Sequence, residues 1–92
     1  MSTEIEELEM VGYLAAEMRR KLRENSHKSH WREEPVEWLV GRLIEEMGEL
    51  VRSLHGSPET VLSEAADVAN FAAMIADVTR GQQRQSQATR HS

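Results

Sequence analysis

Apolar residues return every three or four positions along most of this chain, the period of helices that bury one face. Ile5, Leu8, Val11, Ala15, Met18 and Leu22 form the first stripe, opened by Thr3 and Glu6 at the spacing of a capping box. That helix is expected to end near residues 23–25, and the polar, aperiodic stretch over 25–34 reads as a loop. A second, broader face carries Val36, Leu39, Val40, Leu43, Ile44, Met47, Leu50, Val51 and Leu54. Pro35 suits the first turn of this helix, which should run to about Leu54. "HGSPE" then interrupts the pattern, with Ser57 as N-cap and Pro58 just inside a third helix. This alanine-rich helix is expected to end near Arg80, with Gly81 as its C-cap. Strand alternation and internal repeats are both missing from the pattern. The fold class is therefore all-α. About three helices make a hairpin or bundle over residues 1–80, completed by oligomerisation into a four-helix bundle. Residues 81–92, polar and without apolar period, read as a disordered tail.

Composition narrows the partners. Ninety-two residues bury a modest core, and without cysteine neither disulfides nor a thiolate zinc site can add to it. Burying faces against another copy is the remaining route, so a homo-dimer or tetramer is expected. The net charge of −5, from 16 acidic and 11 basic residues, disfavours a nucleic-acid polymer. A small phosphorylated ligand stays open, because divalent cations bridge carboxylates to phosphates. The apolar runs are too short and too interrupted for a membrane span. "MSTEIEELEM" is acidic where a secretory signal would be basic and then apolar, so a cytoplasmic location is expected.

The acidic residues add the chemistry. At about 100° per residue, Glu46 lies at one edge of the second helix's apolar face and Glu49 roughly 60° further round. Arg42 shares that flank, so an exposed Arg42–Glu46 pair is the plain alternative. On the third helix Glu64 and Asp67 fall within the cluster of Val61, Val68, Phe71, Met74, Ile75 and Val78. Two carboxylates in an apolar stripe are costly, and no lysine or arginine lies near them on that helix. A hard cation such as Mg²⁺, or Mn²⁺, would stabilise both. Iron would want Glu-x-x-His pairs and zinc would want cysteines or paired histidines; neither pattern is present.

"EEMGE" (Glu45 to Glu49), a gap of 14 residues and then "EAAD" (Glu64 to Asp67) resemble the E-E-x-x-E…E-x-x-D signature of MazG-like nucleoside triphosphate pyrophosphohydrolases. "HKSHWRE", "LVGRLIEEMGELVRSL" and "EAADVANFAAMIAD" extend the likeness over roughly residues 25–77. They look most like the small phage-type and bacterial members. The resemblance implies an all-α fold with Glu46, Glu49, Glu64 and Asp67 as metal ligands. It implies cleavage of an NTP or dNTP between the α and β phosphates, giving the monophosphate and pyrophosphate. Glu45 then orients the attacking water, helps a second metal or is simply solvated; a glutamate beside that water, Glu45 or Glu46, accepts its proton. Two departures stand out: "HWREE" replaces the "PWD" segment of larger relatives, and the extra helices of longer members are missing.

"HKSHWREE" (His27 to Glu34) concentrates ligand-binding side chains ahead of this site. Lys28 and Arg32 suit phosphate oxygens, Trp31 suits a base or a hydrophobic lid, and His27 or His30 a hydrogen bond to either. Asn70 is a candidate contact to sugar, base or carboxylate, or else a buried bridging amide. Trp38 falls on the polar side of its helix and suits a subunit interface or the first helix. The alternative to an enzyme is a non-catalytic helical assembly module that binds metal or nucleotide.

Overall fold

The computed structural model describes residues 3–25 and 30–91, with side chains as far as residue 85. Three helices and one 3₁₀ turn account for nearly all of it, and no strand occurs among the described residues. Helix α1 spans Thr3–Glu24, the 3₁₀ turn Trp31–Glu33, α2 Val36–Ser53 and α3 Pro58–His91. Pro35 stands one position before α2, its carbonyl accepting from the amides of Trp38 and Leu39. Ser57 caps α3 through its Oγ, which accepts from the Thr60 amide at 3.2 Å.

Helix α3 is the axis of the molecule: α2, α1 and the 3₁₀ turn all pack on it. Its alanines permit close approach, and Ala66 on α3 and Leu39 on α2 are the fully buried apolar residues of a small core. The broad apolar face of α2 divides in two. Val36, Leu39, Leu43 and Leu50 turn inward, while Val40, Ile44, Met47, Val51 and Leu54 are exposed. The first half of α1 is also uncovered, with Ile5, Leu8 and Val11 all exposed. These apolar residues follow the helical period, but no element among the described residues covers them.

Two expectations are corrected. The described residues form three helices, so one chain is not a four-helix bundle. Helix α3 also passes straight through Gly81 to His91, where a C-cap and a disordered tail were expected. No described glycine takes the positive φ that a glycine C-cap uses. The residues after Gly81 are mostly glutamine, arginine and alanine, which favour helix, with no proline to end it. No helix among the described residues is long and apolar enough to cross a membrane.

Candidate metal centre and ligand cleft

Glu46 on α2 meets Glu64 and Asp67 on α3, where one oxygen from each carboxylate lies within 4.8 Å of the others. The i, i+3 spacing on α3 puts both of its acids on the turn that faces α2. Burial, and next the charge of Asp67, push the Glu46 carboxyl above its ordinary range; Arg42 opposes this, bonding Glu46 at 3.1 Å. Asp67 has a cation that its own helix does not supply. Lys21, from α1, pairs with it at 3.3 Å and donates to Ser63 Oγ at 3.0 Å. The three-carboxylate donor set fits a hard divalent cation, which takes oxygen ligands at about 2.0–2.6 Å.

Two other expected acids stand apart from the cluster. Glu49 is half-exposed and bound by Arg52 at 2.8 Å, and Glu45, also exposed, is bound by Arg42 at 2.6 Å. Glu45 faces away from the apolar stripe, as its angle on the helix dictates.

A cleft of about 940 Å³ opens beside Glu46 and Asp67. Lys21, Leu22 and Asn25 line it, together with Trp38, Arg42 and Phe71 and with His30 and Trp31. Three aromatic side chains, Trp31, Trp38 and Phe71, and two cations, Lys21 and Arg42, thus border one space with two of the acids. Arg42 lies over the Phe71 ring at 5.4 Å, which holds its guanidinium at the cleft edge. Asn70 lines the cleft floor while its Nδ2 donates to the Met18 carbonyl at 3.1 Å, the bridging role of a buried amide.

Trp31 and His30 stack with their ring centroids 4.3 Å apart, and His30 Nδ1 accepts from the Arg32 amide. Behind them stands Asp77 of α3. Its carboxylate accepts from Trp31 Nε1 at 2.9 Å, from Arg32 Nε at 2.8 Å and Nη2 at 3.2 Å, and from Arg80 at 3.2 Å. Hydrogen bonds from Arg32 first and Trp31 next hold the Asp77 carboxyl far below the usual carboxylate range. Arg32 is thereby turned away from the cleft, so the structure does not bring it to the position expected of a phosphate ligand. His27 and Lys28 lie outside the described residues. Lys21, Asp77 and a cleft-lining role for Trp38 were not anticipated from the sequence. An unpaired apolar-stripe Asp67 was the one signal that some distant cation was needed.

The chain matches no family model, no curated protein and no solved structure.

Proposed function

We propose that this chain is a metal-dependent nucleoside triphosphate pyrophosphohydrolase, cleaving an NTP or dNTP to the monophosphate and pyrophosphate. The carrying observation is the convergence of Glu46, Glu64 and Asp67, two of which, Glu46 and Asp67, line a cleft that also has cations and aromatic faces. Glu49 joins them by giving up its exposed pair with Arg52, an interaction of little energy. A bound Mg²⁺ or Mn²⁺ would neutralise phosphate charge and favour formation of the attacking hydroxide. The chain's own residues do the rest. Lys21 and Arg42 meet phosphate oxygens, while Trp31, His30 and Trp38 enclose the base. A glutamate beside the attacking water, Glu45 or Glu46, would accept its proton. Glycine-rich phosphate loops are missing from the sequence, so the phosphates depend on metal and side chains.

The working form in this reading is a homo-dimer or tetramer in the cytoplasm. The exposed stripe of α2 and the uncovered first half of α1 support assembly, since contiguous apolar faces mark association surfaces. Light scattering at micromolar concentration should report no large monomer population; an active monomer would overturn this part.

A panel of nucleoside triphosphates with Mg²⁺, read for pyrophosphate against orthophosphate, tests the activity. Pyrophosphate with monophosphate from at least one of them is the expected result. Orthophosphate alone, or no turnover across the panel, counts against it. A second reading, a non-catalytic helical assembly module, is favoured by one observation: Lys21 and Arg42 already neutralise part of the acid cluster without a metal. It expects metal or nucleotide to bind without turnover, whereas the enzyme reading expects pyrophosphate release.

A further inference from the structure

Asp77 does not line the cleft, yet it holds one residue that does, Trp31. Its two oxygens take four hydrogen bonds from three side chains, two of them on the 3₁₀ turn more than forty positions earlier. Such a concentration on a part-buried carboxylate exceeds what closing a surface turn requires. Trp31 is the consequential partner. Its Nε1–H fixes the ring against α3, and that ring, stacked on His30, forms part of the cleft wall. Arg32 adds two bonds to the same carboxylate and lies 5.9 Å from the Trp31 ring centroid, so its planar group braces the indole from outside.

The same helix carries a cleft-lining acid and the anchor of the aromatic wall. Asp67 belongs to the acid cluster, and Asp77 stands ten residues, about 15 Å, further along α3. A rigid helix therefore sets the separation between the acids and the aromatic wall. A ligand with phosphates at one end and a planar ring at the other would be measured against that separation.

We infer that Asp77 is a positioning residue, acting through Trp31 to hold the aromatic wall at a fixed distance from the acid cluster for a ring-bearing polyphosphate. This role rests on the nucleotide reading above. Arg32 belongs to the same device and braces the wall; it is not a phosphate ligand.

The test compares Asp77→Asn, Trp31→Phe and the double variant with the unsubstituted chain. Asp77→Asn keeps the size of the side chain but removes the charge that orders Arg32. Trp31→Phe keeps an aromatic ring and deletes only the indole donor. Asp77→Ala replaces Asp77→Asn if the amide still holds the turn. Each is titrated with a non-hydrolysable α,β-methylene triphosphate in the presence of Mn²⁺, and separately with Mn²⁺ alone. In NMR spectra, the indole N–H resonance missing from Trp31→Phe identifies Trp31.

Each single change should weaken the nucleotide analogue roughly ten-fold, as loss of a hydrogen bond to a charged group would. The double variant should be no weaker than either, because both changes cut one connection. Mn²⁺ affinity and helicity should hold, and the Trp31 indole proton should shift and exchange faster in Asp77→Asn. Nucleotide affinity that survives both substitutions overturns the role and leaves the functional reading standing. Mn²⁺ affinity falling in parallel reduces Asp77 to a structural contact and also overturns it. An unsubstituted chain that binds Mn²⁺ but no nucleotide overturns the nucleotide reading, and this role with it.

Discussion

Helix α3 presents two carboxylate centres ten residues apart, and they are charged in opposite ways. Around Asp67, three acids share partial neutralisation by Lys21 and Arg42, and Glu46 is left with a raised pKa. Around Asp77, a single acid receives two arginines and an indole N–H, and its pKa is driven far down. The first centre has acid in excess and can take another cation. The second has donors in excess and is complete as it stands. An acidic side chain on an apolar stripe is thus not a functional signal until its partners are counted across the fold.

The sharpest way to break this contrast is to remove charge from the first centre. Asp67→Asn should abolish pyrophosphate release while circular dichroism stays helical, and Glu49→Gln should do the same if Glu49 completes the ligand set. Near-normal turnover in both would remove the proposed site. Next in size is the cleft between the centres. Trp31→Ala should weaken nucleotide binding by about 1–3 kcal/mol, the range of base–aromatic stacking; unchanged affinity by calorimetry would mean the ring is only a cover.

A smaller effect, with a more telling sign, is expected at Lys21. Its ammonium holds Asp67 where a metal would, so Lys21→Met should tighten Mn²⁺ binding by about two- to five-fold, the scale of a partly exposed ion pair. Weaker Mn²⁺ binding would show that the lysine organises the cluster instead of competing for it.

Acid titration separates the centres by direction. Asp77, with its pKa lowered from 3.8, contributes stability that is present above that value and lost as pH falls through the folded pKa. Glu46, with its pKa raised from 4.5, contributes stability that is full below 4.5 and lost as pH rises through the folded value. Asp77→Asn should therefore flatten the acid limb of a metal-free melting profile. Glu46→Gln should raise the melting temperature near neutral pH by a few degrees at most. Melting curves from pH 2 to 8 decide both, and profiles indistinguishable from the unsubstituted chain would contradict the charge imbalance described for each centre.

Helix periods were legible because each stripe repeats within a few turns, and Ser57 before Pro58 marked the start of α3 by local chemistry alone. The angles of Glu46, Glu64 and Asp67 were legible for the same reason, being fixed by spacing on their helices. What closes the site is not local. Lys21 is separated from Asp67 by the whole of α2, and nothing in "RRKLRE" says which of its cations turns inward. Arg32 was assigned to phosphate from its basic surroundings, but Asp77, forty-five residues on, claims it. The far end of α3 was misjudged because Gly81 carries a stop signal that its helix-favouring neighbours outweigh.

That uninterrupted helix has a consequence for how the molecule breathes. α3 has 34 residues to the 18 of α2, so it outreaches its main neighbour by roughly 24 Å of a molecule 52 Å long. Amide hydrogens near Ala66 and Asn70, sheltered on both flanks, should exchange with solvent most slowly; those beyond Gly81 should exchange as a fraying end does. Asp77 lies between these regimes. Opening that spreads inward from the free end reaches the anchor of Trp31 two to three turns before it reaches Asp67. Warming should therefore loosen the aromatic wall at Trp31 while the three carboxylates still hold their places.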